Sequence, residues 1–358
     1  MQRTPTLGVR PSPESAMYKV SLLTRDGATI AFDADPSDTL LDAAERANIY
    51  LPSSCREGGC GACRVARASG DVELMSYSSV ALSEDERMAG DILLCRAQAR
   101  SDLALRAPFD EAAVGFAPVP ERRATLVALE PVGSGTLRLQ LQYEDDPTFG
   151  RAAQFTAGQF IELTLPDGSA KRSYSLANAP NWDGTLELFI RLQPHGAFSD
   201  YLRDRAAIGD TLLVRGPQGQ FTLDESSAAP RWFVVGGTGL APALSMLRQM
   251  AEFADQRSCR LFFGVNKVDE LFALDAIDTL KAALPQLVVT LCVWKPEEEW
   301  RGFVGTPVEA LAQALSSATE RPDIYACGPP ALIAATEEAG HSAGVPHDRI
   351  FSEKFTAA

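Results

Sequence analysis

The feature that most constrains this chain of 358 residues is a group of three cysteines within nine positions, in the stretch SSCREGGCGACRV at residues 53–65. Cys55, Cys60 and Cys63 have the spacing C-x4-C-x2-C, and Cys95 follows after a long gap. This spacing is typical of four thiolates that hold a [2Fe–2S] cluster. The glycines at 58, 59 and 61 allow the backbone to curl with positive φ and to direct amide hydrogens at the sulfurs.

A structural zinc ion and a set of unrelated buried thiols are the alternatives to the cluster. Zinc sites favour pairs of closely spaced ligands, usually two C-x2-C pairs or one pair with histidines. This chain has one C-x2-C pair, and its three histidines lie far from it in the sequence. The iron–sulfur cluster is therefore the favoured interpretation. Cys259 and Cys292 stand in apolar stretches, so we expect them to belong to the core.

The composition restricts the compartment and the partners. Residues 1–16 lack the apolar segment of a secretory signal, so we expect a cytoplasmic protein, in which cysteine clusters more often bind metals than form disulfides. Acidic residues number 47 and basic residues 33, which argues against a nucleic-acid partner. No run of about 18 apolar residues predicts membrane insertion. We expect a monomer, with residues 1–17 as a disordered extension and Met17 as a possible start.

The pattern of apolar residues divides the rest of the chain into three domains joined by one linker. Residues 18–107 predict two strands around Asp26-Gly27, a helix capped by Asp38 or Thr39, and the cysteine loop. Residues 108–121 carry three prolines without periodicity and predict a linker. Residues 122–228 contain short strands typical of an antiparallel barrel. In residues 229–358, apolar strands alternate with helices, which predicts a parallel sheet.

Four short motifs follow the cysteine region. An R-x-Y-S pattern occupies 172–175, directly after a predicted strand. The sequence GAFS at 196–199 opens a helix, whose N-terminus can receive a phosphate. The turn GTG at 237–239, followed by Pro242, permits close approach of a pyrophosphate to the backbone. The sequence CGP at 327–329 ends a strand, where open parallel sheets bind ligands.

Together these motifs resemble a known family. Residues 18–107 resemble a plant-type ferredoxin, and the order of the remaining parts is similar to that of the reductase components of bacterial multicomponent oxygenases, in the ferredoxin–NADP reductase superfamily. The resemblance covers nearly the whole chain from Tyr18 to Phe355. It implies a multidomain α+β and α/β protein with a β-grasp ferredoxin domain, an antiparallel FAD-binding β-barrel and a parallel-sheet NAD-binding domain.

The resemblance assigns roles to the residues of the flavin motifs. Arg172 would contact the pyrophosphate, Tyr174 would lie against the flavin ring, and Ser175 would approach the reactive ring nitrogen. A second phosphate would lie at the G-x-x-S turn, on Gly196, Phe198 and Ser199. Two phosphates imply FAD rather than FMN.

The resemblance also implies a nicotinamide site. Its residues would be Gly237, Thr238, Gly239, Pro242, Cys327, Gly328 and Pro329. The family carries an aromatic residue near the C-terminus that can cover the flavin, which here would be Phe355. The residues implied to act directly in electron transfer are Ser175, Cys327, Glu353 and Phe355.

The three cofactors imply one order of electron transfer. NADH gives a hydride, a [2Fe–2S] cluster accepts single electrons, and a flavin can exchange both. We therefore expect transfer from NADH to FAD, then to the cluster, and then to a separate oxygenase (hydroxylase) component. A di-iron monooxygenase acting on hydrocarbons or aromatics is the preferred acceptor, and a Rieske-type aromatic-ring dioxygenase is the alternative. An iron–sulfur redox sensor without turnover is the alternative of another class.

The segment FFGVNKVDELF predicts a preference for NADH over NADPH. A 2′-phosphate needs a cation near the end of the second parallel strand. This segment offers only Lys267, which is followed by Asp269 and Glu270. Two carboxylates would repel a phosphate and can instead accept hydrogen bonds from a free ribose hydroxyl.

Overall fold

A computed structural model describes residues 17–53, 55–297 and 299–355. The predicted extension at 1–17 lies outside the described residues except for Met17. Contacts within the chain divide it into two compact units. Residues up to 52 and residues 56–118 form the first unit, and residues 53–55 with residues 119 onward form the second.

The first unit is built on a five-stranded mixed sheet in the order β2-β1-β7-β3-β5. Apolar residues alternate with exposed ones along β1 and β2, so that one face of the sheet covers the core. β1 pairs antiparallel with β2 and parallel with β7, as the predicted β-grasp fold requires. The elements are β1 (Tyr18–Leu23), β2 (Thr29–Ala34), α1 (Leu40–Arg46), β3 (Arg64–Ser69), β4 (Val72–Leu74), α2 (Glu84–Ala89), β5 (Asp91–Leu93), β6 (Ala97–Ala99) and β7 (Leu103–Arg106).

Helix α1 packs its apolar residues into this core. Of the two predicted N-caps, Thr39 is the one observed, and its hydroxyl accepts a hydrogen bond from the Asp42 amide at 3.1 Å. The buried residues of the helix are Leu40, Leu41, Ala43 and Ala44. The helix ends at Arg46, and Asn48 takes a positive φ of 59° that is incompatible with continuation.

The segment that was predicted to be a linker, 108–121, is attached to the first unit over most of its length. Arg25 donates two hydrogen bonds to Asp110, at 2.8 and 2.7 Å. A 3-10 turn spans Glu111–Ala113, and Gly115 forms an antiparallel bridge with Tyr50. Backbone bonds, one ion pair and two isolated apolar side chains, Val114 and Phe109, hold this segment to the first unit, so its sequence shows no apolar periodicity.

The second unit begins with an antiparallel six-stranded sheet in the order β11-β10-β13-β8-β9-β12. Its interior is filled by aliphatic side chains from alternate positions, among them Leu126, Leu139, Leu163 and Val214. The elements are β8 (Glu121–Gly133), β9 (Thr136–Tyr143), β10 (Phe160–Thr164), β11 (Lys171–Ser175), β12 (Thr185–Arg191), α3 (Ala197–Asp204) and β13 (Thr211–Gln218).

The rest of this unit is a parallel six-stranded sheet in the order β17-β16-β15-β14-β18-β19, wrapped by helices. It shares one hydrophobic core with the antiparallel part, in which Phe189 and Phe221 pack with Phe233 and Tyr325. The elements are β14 (Arg231–Gly236), α4 (Leu240–Glu252), β15 (Cys259–Val265), α5 (Leu274–Ala283), β16 (Leu287–Val293), β17 (Phe303–Val304), α6 (Pro307–Ser316), β18 (Asp323–Gly328), α7 (Pro330–Ser342) and β19 (Ile350–Lys354).

Candidate functional site

Strand pairing in the first unit brings two distant cysteines together. Cys63 directly precedes β3, and Cys95 follows β5 by two residues. The register places Arg64 opposite Leu93, and the Leu94 amide donates to the Cys63 carbonyl at 3.1 Å. As a result the Cys63 and Cys95 sulfurs lie 3.3 Å apart.

The loop that carries the cysteines has the predicted conformation at two of its glycines. Gly58 and Gly61 take positive φ values of 72° and 81°. A Cβ at Gly61 would meet the Ala81 carbonyl oxygen at 3.0 Å, so both conformation and space require glycine there. The Ala62 amide donates to the Cys60 sulfur at 3.5 Å, which is the kind of amide–sulfur contact that the glycine spacing predicts.

These thiols fit a two-iron cluster. Cys60, Cys63 and Cys95 are buried, and Cys55 is partly exposed. Two buried thiolates as close as those of Cys63 and Cys95 repel each other unless a cation lies beside them. Over the described ranges, no three His, Cys, Asp or Glu side chains converge on one point as a mononuclear metal site requires. The support for a [2Fe–2S] cluster is therefore the plant-type spacing of the four cysteines and the approach of the Cys63 and Cys95 sulfurs.

The R-x-Y-S strand and the G-x-x-S helix meet in the second unit. Tyr174 on β11 lies with its ring centroid 5.3 Å from that of Phe198 on α3. Gly196 precedes the helix with a φ of 147°, a conformation that L residues rarely adopt. The Ser199 hydroxyl accepts a hydrogen bond from the Gln193 amide at 2.9 Å, which holds the turn in place.

The half-buried side chain of Arg172 stands on the same strand as Tyr174. Its guanidinium donates to the Lys171 carbonyl at 2.7 Å. A cationic fork, an aromatic ring and a helix N-terminus thus lie along β11 and α3. This donor set fits a flavin with a pyrophosphate.

Ser175 and Glu353 form a buried pair although 178 positions separate them. The Ser175 hydroxyl donates to Glu353 Oε2 at 3.0 Å. Burial raises the pKa of the Glu353 carboxyl to about 7, although the Ser175 hydrogen bond opposes that rise. Cys327 is the register partner of Glu353 on the neighbouring strand and is fully buried, and burial raises the pKa of its thiol.

The two nucleotide motifs also abut each other. Gly239 packs against the end of β18, where an added Cβ would lie 2.2 Å from the Cys327 carbonyl oxygen. Gly328 takes a φ of 154° beside Gly236. The Phe355 amide donates to the Gly328 carbonyl at 2.8 Å. The glycine turn, the strand end and the C-terminal residues therefore converge at the carboxyl edge of the parallel sheet, where such sheets bind ligands.

Thr238 and Pro242 occupy the beginning of the same helical segment. Thr238 is the middle residue of the 3-10 turn Gly237–Gly239, and Pro242 is buried in the first turn of α4. Pro329 caps α7 and lies 3.4 Å from a Cβ built on Gly236. All seven residues of the predicted nicotinamide site thus belong to two adjoining strand-to-helix turns.

The three residues that were predicted to lie near the ribose differ in their exposure and in their partners. Lys267 and Asp269 are exposed after β15. Glu270 instead accepts a hydrogen bond from Arg191 at 3.0 Å and another from the Asn266 amide at 3.0 Å. Its carboxylate is therefore engaged in holding the loop, and Asp269 is the carboxylate that remains exposed to a ligand.

Sequence reasoning missed a polar group between α4 and the antiparallel sheet. Ser245 and Arg248 on α4 donate to the carbonyls of Asn178 and Ala177, at 2.7 and 2.8 Å. Arg248 also donates to the buried carboxylate of Glu187. The sequence feature that could have revealed these contacts is a serine and an arginine at positions i and i+3 of a helix that is otherwise mostly apolar and buried.

Other side chains lie outside these sites. His195 is exposed beside the G-x-x-S turn, while Cys259 and Cys292 are fully buried, as predicted for core residues.

A cavity of about 350 Å³ lies in the antiparallel part near Arg122 and Tyr143, and none of its lining residues belongs to the predicted flavin site. Arg122 donates to the carbonyls of residues 150 and 152, so its role is to hold the loop over this cavity.

Three protein-family models match the chain in succession. The 2Fe-2S iron-sulfur cluster binding domain matches residues 23–100. The oxidoreductase FAD-binding domain matches residues 124–223, and the oxidoreductase NAD-binding domain matches residues 233–338. These matches confirm the three predicted cofactors and exclude the zinc alternative for the first domain.

Curated relatives match nearly the whole chain. The reductase component of propane 2-monooxygenase from Rhodococcus jostii is 32% identical and covers 92% of this chain and 89% of its own length. Methane monooxygenase component C from Methylosinus trichosporium is 38% identical over 77% of this chain and 81% of its own length. The electron transfer component of anthranilate 1,2-dioxygenase from Acinetobacter baylyi is 33% identical over 94% and 97%.

Solved structures share the architecture. A cytochrome P450 reductase from Amycolatopsis has a TM-score of 0.76 and 30% identity, covering 94% of this chain and 99% of its own. The ferredoxin reductase of a carbazole 1,9a-dioxygenase has a TM-score of 0.72 and 26% identity, covering 95% and 99%. No helix within the described ranges has both the length and the apolar character needed to cross a bilayer.

Proposed function

This chain belongs to the iron–sulfur flavoprotein reductases that serve as NADH-dependent electron-transfer components of oxygenases, and we propose that its acceptor is the hydroxylase component of a di-iron monooxygenase. Relatives that are named as propane and methane monooxygenase components support this choice. Two dioxygenase electron transfer components, at 32–33% identity, make a Rieske-type dioxygenase the second candidate.

Cys55, Cys60, Cys63 and Cys95 hold the [2Fe–2S] cluster in this proposal. The support is their plant-type spacing and the close approach of the Cys63 and Cys95 sulfurs. When bound, the cluster accepts and releases one electron at a time. The chain contributes four thiolates and amide hydrogens, such as that of Ala62, that stabilise negative charge on sulfur.

FAD binds along β11 and the start of α3. Arg172 holds one phosphate, the amides around Gly196 and Ser199 hold the other, and Tyr174 supports one face of the ring. When bound, FAD accepts a hydride and can return its electrons singly. Phe198 keeps the ring of Tyr174 in position through their tilted ring contact.

NADH binds at the carboxyl edge of the parallel sheet. The turn at Gly237–Gly239, with Pro242 behind it, approaches the pyrophosphate, while Cys327, Gly328 and Pro329 face the nicotinamide. Phe355 would lie over the flavin ring, at the position that the nicotinamide would need. Asp269 disfavours a 2′-phosphate, and we propose on this ground that NADH is preferred to NADPH.

Ser175 and Glu353 would bind and release a proton beside the flavin ring. The Ser175 hydroxyl can donate either to the flavin or to Glu353, to which it is bonded at 3.0 Å. A carboxyl with a pKa of about 7 exchanges protons readily at neutral pH. The two side chains would therefore hold an exchangeable proton next to the flavin edge.

The observation that carries the proposed path from NADH to FAD is the convergence of the flavin strand, the glycine turn and the C-terminal residues in one unit. None of the seven cysteines, all of which belong to the described residues, forms a disulfide, which is consistent with a reducing cytoplasm. We expect the protein to act as a monomer, which size-exclusion chromatography with light scattering can test.

The decisive experiment supplies the purified holoprotein with NADH and with purified oxygenase components. NADH should first reduce the flavin and then bleach the cluster. Product formation with di-iron hydroxylases, and none with Rieske dioxygenases, would support the proposed acceptor. The reverse preference would favour the second candidate, and an absence of NADH-driven reduction would leave the redox-sensor hypothesis.

A further inference from the structure

Helix α4 physically connects the two cofactor sites of the second unit. It begins directly after the glycine turn at Gly237–Gly239. Further along, Ser245 donates to the Asn178 carbonyl at 2.7 Å and Arg248 donates to the Ala177 carbonyl at 2.8 Å. These acceptors follow Ser175, the last residue of the flavin strand, by two and three positions.

The contact segment at 177–178 is held from both sides. On the side of the antiparallel sheet, the Ala177 amide donates to the Glu187 carbonyl at 2.8 Å, and the Glu187 amide donates to the Asn178 side chain at 2.8 Å. On the other side lie the two donors from α4. The segment therefore has little freedom to move independently of the helix.

Arg248 is the strongest part of this connection. Its guanidinium is mostly buried and binds both the Ala177 carbonyl and the carboxylate of Glu187, which is 4% exposed. Glu187 also accepts from Arg138 at 2.6 Å. Charge-assisted bonds in a buried setting are short and resist stretching. One arginine thus couples the helix behind the glycine turn to the chain behind the flavin strand.

We propose that Arg248 is a positioning residue for hydride transfer, which fixes the nicotinamide site at the correct distance from the flavin strand. The inference rests on the proposed function. Hydride transfer requires reacting atoms about 3–3.5 Å apart, and a displacement of about 1 Å can slow such a step about 100-fold. A helix that carries one site and is bonded to the strand of the other controls that distance directly.

Arg248→Met tests this proposal in the FAD-loaded holoprotein. Methionine keeps the apolar stem, and Glu187 keeps Arg138 as its partner, so no buried carboxylate is left alone. We expect the rate of flavin reduction at saturating NADH, measured by anaerobic stopped flow, to fall about 10- to 100-fold. The isotope effect with 4-deuterated NADH should rise because hydride transfer becomes rate-limiting.

Two further variants separate positioning from general damage. Arg248→Lys retains a cation that can reach Glu187 and should recover part of the rate. Arg123→Met removes an exposed arginine of β8 that pairs with Glu144, and it should reduce its flavin at the rate of the parent protein. FAD content and the melting temperature are measured for each variant.

The proposal is overturned if Arg248→Met matches the parent protein in rate and isotope effect, or if its rate falls only in proportion to lost FAD. Should Arg248→Met fail to fold, Ser245→Ala removes the other donor, and an unchanged isotope effect in that variant also overturns the proposal. If the parent protein does not reduce its own flavin with NADH, it is the proposed function that fails.

Discussion

At the scale of single residues, Glu353 is the carboxyl most altered by the fold. Burial raises its pKa from 4.5 to about 7. The native protein then binds more protons than the unfolded chain between pH about 4.5 and 7. Stability must therefore fall as the pH rises through this window, by up to ~3 kcal/mol once the carboxyl is ionised.

Glu353→Gln should remove this dependence. We expect the melting temperature of the parent protein to decrease between pH 5 and pH 7.5 by more than that of the variant. Glu338→Gln, at an exposed position of α7, serves as the control and should follow the parent protein. Parallel curves for the parent protein and Glu353→Gln would contradict the raised pKa.

Arg172 is the second residue whose role can be isolated. A charge-assisted contact to phosphate contributes about 1.5–3 kcal/mol, so Arg172→Ala should weaken FAD binding about 10- to 100-fold. The neighbouring Lys171 is 56% exposed and pairs only loosely with Glu162 at 3.9 Å, which makes Lys171→Ala a matched loss of charge. Equal FAD retention by both variants after dialysis would refute the assignment of Arg172.

At the scale of elements, the turn between β14 and α4 depends on the absence of a side chain. Gly239 has an ordinary φ of −59°, but a Cβ there would lie 2.2 Å from the Cys327 carbonyl oxygen. Space rather than conformation therefore requires glycine. Gly239→Ala should push the turn away from β18, destabilise the protein by about 1–3 kcal/mol and slow flavin reduction by NADH.

Gly168→Ala provides the control for this prediction. Gly168 has a φ of 72° and no heavy atom within 4 Å of an added Cβ, so alanine there introduces strain of about 1–2 kcal/mol without a clash. Thermal melts and stopped-flow reduction distinguish the two variants. If both variants lose stability but NADH still reduces their flavin at the parental rate, the contact between the turn and β18 plays no role in flavin reduction.

At the scale of the whole molecule, the separate motifs for the cluster and for the flavin predict that electron transfer can be interrupted after the flavin. Cys60→Ser should remove the visible absorption and the paramagnetic signal of the cluster. NADH should still reduce the flavin nearly as fast, because the residues proposed for that step lie in the second unit. The comparison is made by stopped flow at the flavin and cluster wavelengths. Loss of both reductions together would show that the units do not function separately.

The sequence by itself determined the cofactors and the order of the domains. Each cofactor was predicted from at least one motif of short spacing, such as C-x4-C-x2-C at 55–63 or R-x-Y-S at 172–175, and such a motif can be recognised without knowledge of the fold. Strand alternation and glycine turns likewise predicted the antiparallel and parallel sheets. The linker was less predictable, because 108–118 is held to the first unit by backbone bonds and a few isolated side chains that leave no periodic pattern.

Only the tertiary structure decided which distant side chains meet. Ser175 contacts Glu353 across 178 positions, and Arg248 contacts Glu187 across 61. The tertiary structure also pairs Glu270 with Arg191. From the sequence alone, Glu270 and Asp269 were equal candidates for contact with the ribose. Such pairings arise from sheet order and register, and no short stretch of sequence encodes them. Burial follows from the same packing, and it is burial that moves the pKa of Glu353 to about 7.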